Sequence, residues 1–299
     1  MKRLLVALIL VAGVIGAGPG RADQPDAATR ARIASADTVR LVVDQAFGYR
    51  PRNGIEIAPI PGYRLPFEAV VEEVMEYAGV RIVDADATRY GATLTITARG
   101  TAIGRLFGYT DMQYLFVGAS LEGDIVFEAG SSAVWTKPFI TRKQPPLRLD
   151  LNLNFERPEN APFGEIFAWA GSFVPRFLEA VGEVYGPEPL IAALADGSRV
   201  VRPNAAHALG DFGALGDGPV AGALIAVLAD HNADVRREAA WSLGKIGATS
   251  AVTPLEALLR DRDADVRWFA AWSLAQLTGR PLDEMLHSGS GDEGGDEGS

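Results

Sequence analysis

Five aromatic and cationic residues near the end of the chain recur at a spacing that could support binding. His207, Trp241 and Trp272 occupy one equivalent position of a repeated segment, and Arg237 and Trp268 occupy another. At about 100° per residue, both positions lie on the side of a helix opposite its apolar stripe. Aromatic and arginine side chains are enriched in the cores of protein interfaces. The spacing therefore predicts a surface that binds another protein.

Two further arrangements would also account for these bulky side chains. They could be buried within this chain, against its first domain or its carboxyl-terminal tail, because exposed tryptophans are unusual on a solvated helix face. They could also form a contact between two copies of the chain, so a homo-oligomer stays an alternative. Exposure of the rings in the folded chain distinguishes internal burial from either kind of binding.

Residues suited to catalysis are sparse. The chain has no cysteine, and its three histidines, His207, His231 and His287, are not at metal-ligand spacing. Neither a Ser-His-Asp arrangement nor a phosphate-binding loop is present. The sequence therefore predicts no catalytic residue, no metal and no cofactor, and it favours a binding protein over an enzyme.

An enzyme or small-ligand binder with its site in the first domain is the alternative function. The stretch GYTDMQY at 108–114 contains the polar residues that would form such a site, namely Tyr109, Asp111 and Tyr114. A deep pocket lined by buried charged groups at this loop would favour the alternative.

The second half of the chain repeats itself at an offset of 31 residues. NADVRREAAWSLGKIG at 232–247 returns as DADVRWFAAWSLAQLTG at 263–279. Apolar residues recur at i, i+4, i+8 and i+11, which is typical of a helix that buries one stripe. A third, earlier copy starts at Val201, and Pro203 predicts that its helix begins late. A shorter helix precedes each copy, so three helix pairs are expected.

Two columns of opposite charge accompany the repeats. An arginine follows the first valine of each copy, and an aspartate lies six residues before each arginine. We expect these columns to form an ion-pair and carbonyl-capping ladder between repeats rather than a phosphate site. The columns consist of Arg202, Arg236 and Arg267, and of Asp196, Asp230 and Asp261.

The signature D-x-D-V-R-x-x-A-A-x-x-L resembles the HEAT-like repeats named after phycobilisome lyases, over about 90 of the 299 residues. The resemblance implies an α-helical solenoid of about three repeats, residues 187–287, that binds partners through a curved surface. It also implies a chromophore-lyase-like subunit as a further alternative. An exported chain without cysteine departs from that setting.

The first domain, residues 25–186, is predicted to be an α+β two-layer domain with a mostly antiparallel sheet and two helices. Strict alternation of apolar and polar residues predicts its strands. The all-round apolar segment that ends the domain must be covered on more than one face, so we expect it to lie between the sheet and the repeats. The predicted strands are 38–45, 92–98, 115–127 and 133–141, and the predicted helical segments are 66–79 and 162–186.

The two ends of the chain carry signals of their own. Residues 1–22 have the basic start, short apolar run and small residues of a secretory signal peptide, which predicts an exported, periplasmic or secreted protein. Its removal changes the formal net charge from −10 to −13. This acidity excludes nucleic acid as a favoured partner, and no later segment is apolar enough to span a membrane. The acidic, glycine-rich residues 288–299 are expected to be disordered.

Overall fold

The computed structural model describes residues 25–50, 58–107, 113–143 and 173–289. An N-terminal α+β module comes first in the chain, and a helical repeat region follows. The strands of the module are β1 (Thr38–Arg50), β2 (Ala58–Pro59), β3 (Arg81–Val83), β4 (Ala92–Phe107), β5 (Gln113–Glu128) and β6 (Val134–Lys143). Its helices are α1 (Ala27–Ala34), α2 (Phe67–Tyr77) and α3 (Val174–Tyr185).

The repeat region consists of short first helices, longer second helices and a closing helix. The first helices are α4 (Glu188–Ala193), α6 (Pro219–Ala226) and α8 (Val252–Leu258). The second helices are α5 (Val201–Gly210), α7 (Ala233–Ile246) and α9 (Ala264–Thr278), and the closing helix is α10 (Leu282–Gly289). Among the described residues, no helix is both long and apolar enough to cross a membrane.

The sheet is mixed, with strand order β2-β1-β4-β5-β6 and β3 beside β1. The β1–β2, β4–β5 and β5–β6 pairs are antiparallel, as the sequence predicts for most of the sheet. The long β1–β4 pair and the short β1–β3 pair are parallel. Parallel neighbours need a crossover connection, and α2 lies in the connection between β1 and β4. Alternation alone does not encode which strands become neighbours.

The core of the module lies on one face of the sheet. In β5 the side chains of Leu121, Ile125 and Phe127 are fully buried, as the alternation predicts. Helices α2 and α3 cover this face, where the rings of Phe67 and Phe173 meet edge to face at 4.7 Å. Burial of such apolar side chains contributes about 1.5–3 kcal/mol each.

Two local features differ from the sequence predictions. Helix α1 is an addition, capped by the Asp26 carboxylate, which accepts from the backbone N–H groups of Ala28 and Thr29. It buries only Ile33, so it has no apolar stripe that a periodicity argument could detect. The expected cap Ser172 and the rest of the segment 144–172 lie outside the described residues. Helix α3 begins at Val174.

The three predicted helix pairs are present. Asn232 and Asp263 cap the starts of α7 and α9 through their side chains, and Gly247 and Gly279 end these helices in the left-handed conformation. The first copy differs, since α5 ends at Gly210 rather than at the expected Gly213. The chain turns there and packs the Phe212 ring against α3, within 3.0 Å of where a β-carbon on Gly182 would lie.

The second helices approach one another closely through serine and glycine. Ser242 on α7 donates its hydroxyl to the carbonyl oxygen of Ala206 on α5 at 2.7 Å. Ser273 on α9 donates in the same way to Ala240 on α7 at 2.7 Å. A β-carbon added to Gly244 would lie 2.6 Å from the Ser273 hydroxyl. The spacing therefore requires glycine opposite serine at this contact.

The predicted Arg–Asp ladder links successive repeats. Arg236 donates from Nη1 to the carbonyl oxygen of Asp230 in its own repeat, at 2.8 Å. Its Nε and Nη2 donate to both carboxylate oxygens of Asp261 in the next repeat, at 2.8 Å each. Arg202 likewise donates to the carbonyl of Asp196 at 2.7 Å and places Nε 3.2 Å from the Asp230 carboxylate. Each arginine thus closes one loop and holds the next.

The ladder begins on the α+β module. The first aspartate, Asp196, accepts a hydrogen bond from the Tyr77 hydroxyl of α2 at 3.0 Å. Tyr77 stands where a preceding repeat would supply an arginine. Burial, followed by the hydrogen bond to Asp196, raises the pKa of Tyr77 to about 12. At the other end Arg267 donates to the carbonyl of Asp261 at 2.7 Å.

The module and the repeats share one continuous apolar core. Helix α3 packs against β6 and α2 on one side and against α4 and α5 on the other. Its residues Phe177, Leu178 and Val181 are fully buried. Helix α10 covers the far end of the array, where Met285 is buried against α9. The cover at each end of the repeats therefore matches the expectation from the sequence.

Replacing Arg236 by methionine is expected to destabilise the protein by about 3–5 kcal/mol, because a buried carboxylate loses its charged partner. The side chains of Arg236 and Asp261 are only 7% and 9% exposed. Urea unfolding of the full chain measures the effect. The control is Arg64→Met, whose ion pair with Glu68 is exposed and should contribute at most about 1 kcal/mol. Equal losses in the two variants would contradict a buried ladder.

Candidate protein-binding surface

The five residues selected from the sequence lie together on the outward side of the second helices. His207 is on α5, Arg237 and Trp241 are on α7, and Trp268 and Trp272 are on α9. We call these five residues the aromatic surface. Trp268 is 43% exposed, and the other four are half-buried. The close packing of α5, α7 and α9 brings the three helices, and with them these side chains, into one row.

The centre of the aromatic surface is a stack of two rings. The imidazole of His207 lies parallel to the Trp241 indole, with ring centroids 4.3 Å apart and an interplanar angle of 4°. The ammonium of Lys245 lies 4.5 Å from the Trp241 centroid, within cation–π range. The indole is thus held in one position by groups from two repeats.

Charged neighbours hold the stack in place. Glu238 accepts from His207 Nδ1 at 2.9 Å and from Arg237 Nη2 at 2.9 Å. Arg237 also donates to Asp234 at 2.7 Å. Both carboxylates therefore occupy the Arg237 guanidinium, and it orients the surface rather than standing ready for a phosphate.

The pKa values of the pair reflect this arrangement. Burial opposes the charged imidazolium, but the hydrogen bond and the attraction to Glu238 outweigh it and raise the pKa of His207. Burial likewise disfavours the Glu238 carboxylate, yet His207 and Arg237 together lower the pKa of Glu238. The pair is therefore a charged one around neutral pH.

The exposed end of the aromatic surface is formed by Trp268. Its indole meets the Phe269 ring edge to face at 4.9 Å, and Phe269 packs against the core. None of the described residues of the α+β module seals Trp268 from solvent, since 43% of it stays exposed. Among the described parts of the chain, internal burial therefore does not account for this tryptophan.

Several supporting residues were not selected from the sequence. Glu238 and Lys245 lie three residues before and four residues after Trp241 on the same helix. That spacing places them beside its ring, so a search at i−3 and i+4 from Trp241 could have found them. Asp211, which accepts from Lys245 at 2.7 Å, comes from another repeat, and no local spacing indicates it.

The alternative site in the first domain is only partly described. Tyr109 and Asp111 lie outside the described residues. Tyr114 falls in β5, where its backbone pairs with Leu106 of β4. In the part of the chain that the structure describes, no group of three or more acidic or histidine side chains could hold a metal ion.

Comparison with known proteins identifies the helical region. Residues 187–275 and 220–291 match the family model of HEAT repeats, which confirms the predicted repeat type. No curated protein matches the chain.

Solved structures are similar over the repeats alone. Human deoxyhypusine hydroxylase is similar at 23% identity and a TM-score of 0.30, over 35% of this chain and 36% of that one. A designed armadillo repeat protein in complex with the peptide (KR)4 has 22% identity and a TM-score of 0.30, over 39% and 57%. The complex of CpcE and CpcF of phycocyanin lyase from Nostoc sp. has 24% identity and a TM-score of 0.25, over 38% and 62%. The chain thus spans less than two thirds of the length of each of these structures.

The His207–Glu238 pair should make stability depend on pH. Because the pKa of His207 is raised above its ordinary 6.5, its contribution is complete below pH 6.5 and is lost as pH rises through the folded-state value. We expect the unfolding free energy of the wild type to approach that of His207→Phe as pH rises. Urea unfolding at a series of pH values measures this difference.

Glu238→Gln is the matched control for this prediction. It leaves the imidazole in place but removes the charge that raises the pKa of His207, so the pH dependence should become weaker. A difference between wild type and His207→Phe that stays constant from pH 6 to pH 9 would contradict the assignment.

Proposed function

We propose that this protein is an exported, non-catalytic scaffold that binds another protein of the cell envelope through the aromatic surface. One observation carries the proposal. Trp268 is 43% exposed at the end of a row of aromatic side chains whose other members are held by packing. Tryptophan dominates the binding energy of many interfaces because it buries a large apolar area.

Preorganisation supports the proposal. Binding costs less when interface side chains are already fixed, since about 0.5–1.5 kcal/mol is lost for each rotamer-rich side chain that becomes ordered. Trp241 is held between groups of neighbouring repeats, His207 and Glu238 are hydrogen-bonded, and Arg237 is paired twice. A partner would meet a surface that needs little rearrangement.

The repeat architecture also supports a protein partner. Each repeat contacts only its neighbours, so stacking creates an extended surface to which every repeat contributes equivalent positions. The aromatic surface follows these positions across α5, α7 and α9. The strongly acidic chain, with a formal net charge of −10, disfavours nucleic acid as the partner.

The exported location is part of the proposal and has its own test. Cleavage after Ala22 would give a mature chain that begins at Asp23. Amino-terminal sequencing of the protein purified from a periplasmic extract should read Asp-Gln-Pro. A chain recovered from the cytoplasm with residues 1–22 intact would contradict export, and the partner would then have to be sought inside the cell.

Binding through the aromatic surface is tested best at Trp268. Trp241 is a poor choice for truncation because its ring supports His207 and Lys245. Trp268→Ala should change the unfolding free energy by less than about 1 kcal/mol, as is usual for exposed positions. A photo-reactive amino acid at position 268 should cross-link one protein of defined mass in the envelope fraction, and adding Trp272→Ala should abolish the adduct.

Position 140 provides the matched control for cross-linking. Ile140 is 56% exposed but lies on the outer face of the edge strand β6, away from the aromatic surface. The same photo-reactive residue at position 140 should not give the adduct. Identical adducts at both positions, or none at position 268, would overturn the proposal.

A further inference from the structure

A cleft of about 320 Å³ lies where the α+β module meets the first repeat. Helix α3 forms one wall and α5 with the turn after it forms the other. Gly182, Ala208 and Phe212 provide apolar surface. The charged lining comes from Glu179, Glu183 and Asp211, and Arg30 of α1 reaches the same cleft.

The charged wall of the cleft is a buried triad. Lys137 points inward from β6 and places Nζ 2.7 Å from Glu183 and 3.0 Å from Glu179. The three side chains are 8%, 10% and 11% exposed. Glu179 also receives the half-exposed Arg176 guanidinium at 2.7 Å. The buried part of the triad thus has two carboxylates for one ammonium.

One carboxylate oxygen of the triad lacks a partner. Oε1 of Glu183 accepts from Lys137, but its Oε2 is buried and has no hydrogen-bond partner among the described residues. A buried carboxylate oxygen left unsatisfied is costly unless a donor reaches it. Burial is also the largest cause that raises the pKa of Glu183. Both observations point to a missing positive charge or donor at this position.

We propose that the cleft binds a small alkylammonium ligand whose cation contacts Glu183 and whose aliphatic stem lies against Phe212 and Gly182. An ammonium carries three donors and no acceptor, so it matches Oε2 and balances the second carboxylate of the triad. Arg30 has no side-chain partner among the described residues and would meet a carboxylate at the other end of the ligand. An ω-amino acid combines these features.

The test is calorimetric titration of the full chain with 5-aminovalerate, n-pentylamine and pentanoate. Both amines should bind, 5-aminovalerate more tightly because of Arg30, and pentanoate should bind weakly or not at all. Glu183→Gln keeps the shape of the side chain but removes the charge, and it should weaken amine binding about tenfold or more. Glu72→Gln, an exposed carboxylate on α2, is the control and should leave binding unchanged.

A measurement on the unmodified protein guards against a folding defect in the variant. Amine binding favours the ionised Glu183, so affinity should rise with pH above 4.5, the ordinary value for Glu, because its pKa is raised. The groups that face Glu183 are Lys137 of β6, Glu179 and Arg176 of α3, Asp211 and His207 of α5, and Arg30 of α1.

Restricting the titration to the range between pH 4.5 and 6.5 keeps His207 charged, because its pKa lies above 6.5. Tighter binding with rising pH, lost in Glu183→Gln, supports the proposal. The proposal is overturned if no amine binds at about 10 mM, a concentration that detects even millimolar affinity. It is equally overturned if Glu183→Gln binds amines as tightly as Glu72→Gln.

Discussion

The paired contact of Arg236 with Asp230 and Asp261 is the interaction on which the rest of the structure depends. One guanidinium closes its own loop through a carbonyl and holds the next loop through a carboxylate. Because the charges are buried and the contact is bidentate, it specifies both the distance and the rotation between repeats. Apolar stripes alone would tolerate small slips along the helix axis. The ladder therefore sets the alignment of everything that the second helices display.

This alignment accounts for the continuity of the aromatic surface. The stack of His207 on Trp241 forms across two repeats, and it needs α5 and α7 at the separation that Ser242 and Gly210 allow. The same small residues on the buried side keep the backbones close enough for bulky rings to meet on the outer side. Order on the outer face is thus a consequence of close packing on the inner one.

The junction with the α+β module uses the same device with a different residue. Tyr77 takes the place of a ladder arginine at Asp196, and α3 fills the space that a preceding repeat would occupy. A solenoid with few repeats has exposed ends, and covering them removes the apolar surface that would otherwise promote association. The cover by α3 also creates the cleft between the module and the first repeat, since α3 brings two carboxylates to a surface that the repeats leave open.

Period and alternation in the sequence determined the helix pairs, the inward faces of β5 and β6, the caps Asn232 and Asp263, and the Arg–Asp ladder, because each of these depends on residues that recur at local spacing. Only the tertiary structure decided the parallel β1–β4 pair, the place of α1, the support of Trp241 by Asp211 and Lys245, and the triad of Lys137, Glu179 and Glu183. These features join residues that are distant in sequence, and their pairing is selected by the packing of the whole chain rather than by any local periodicity.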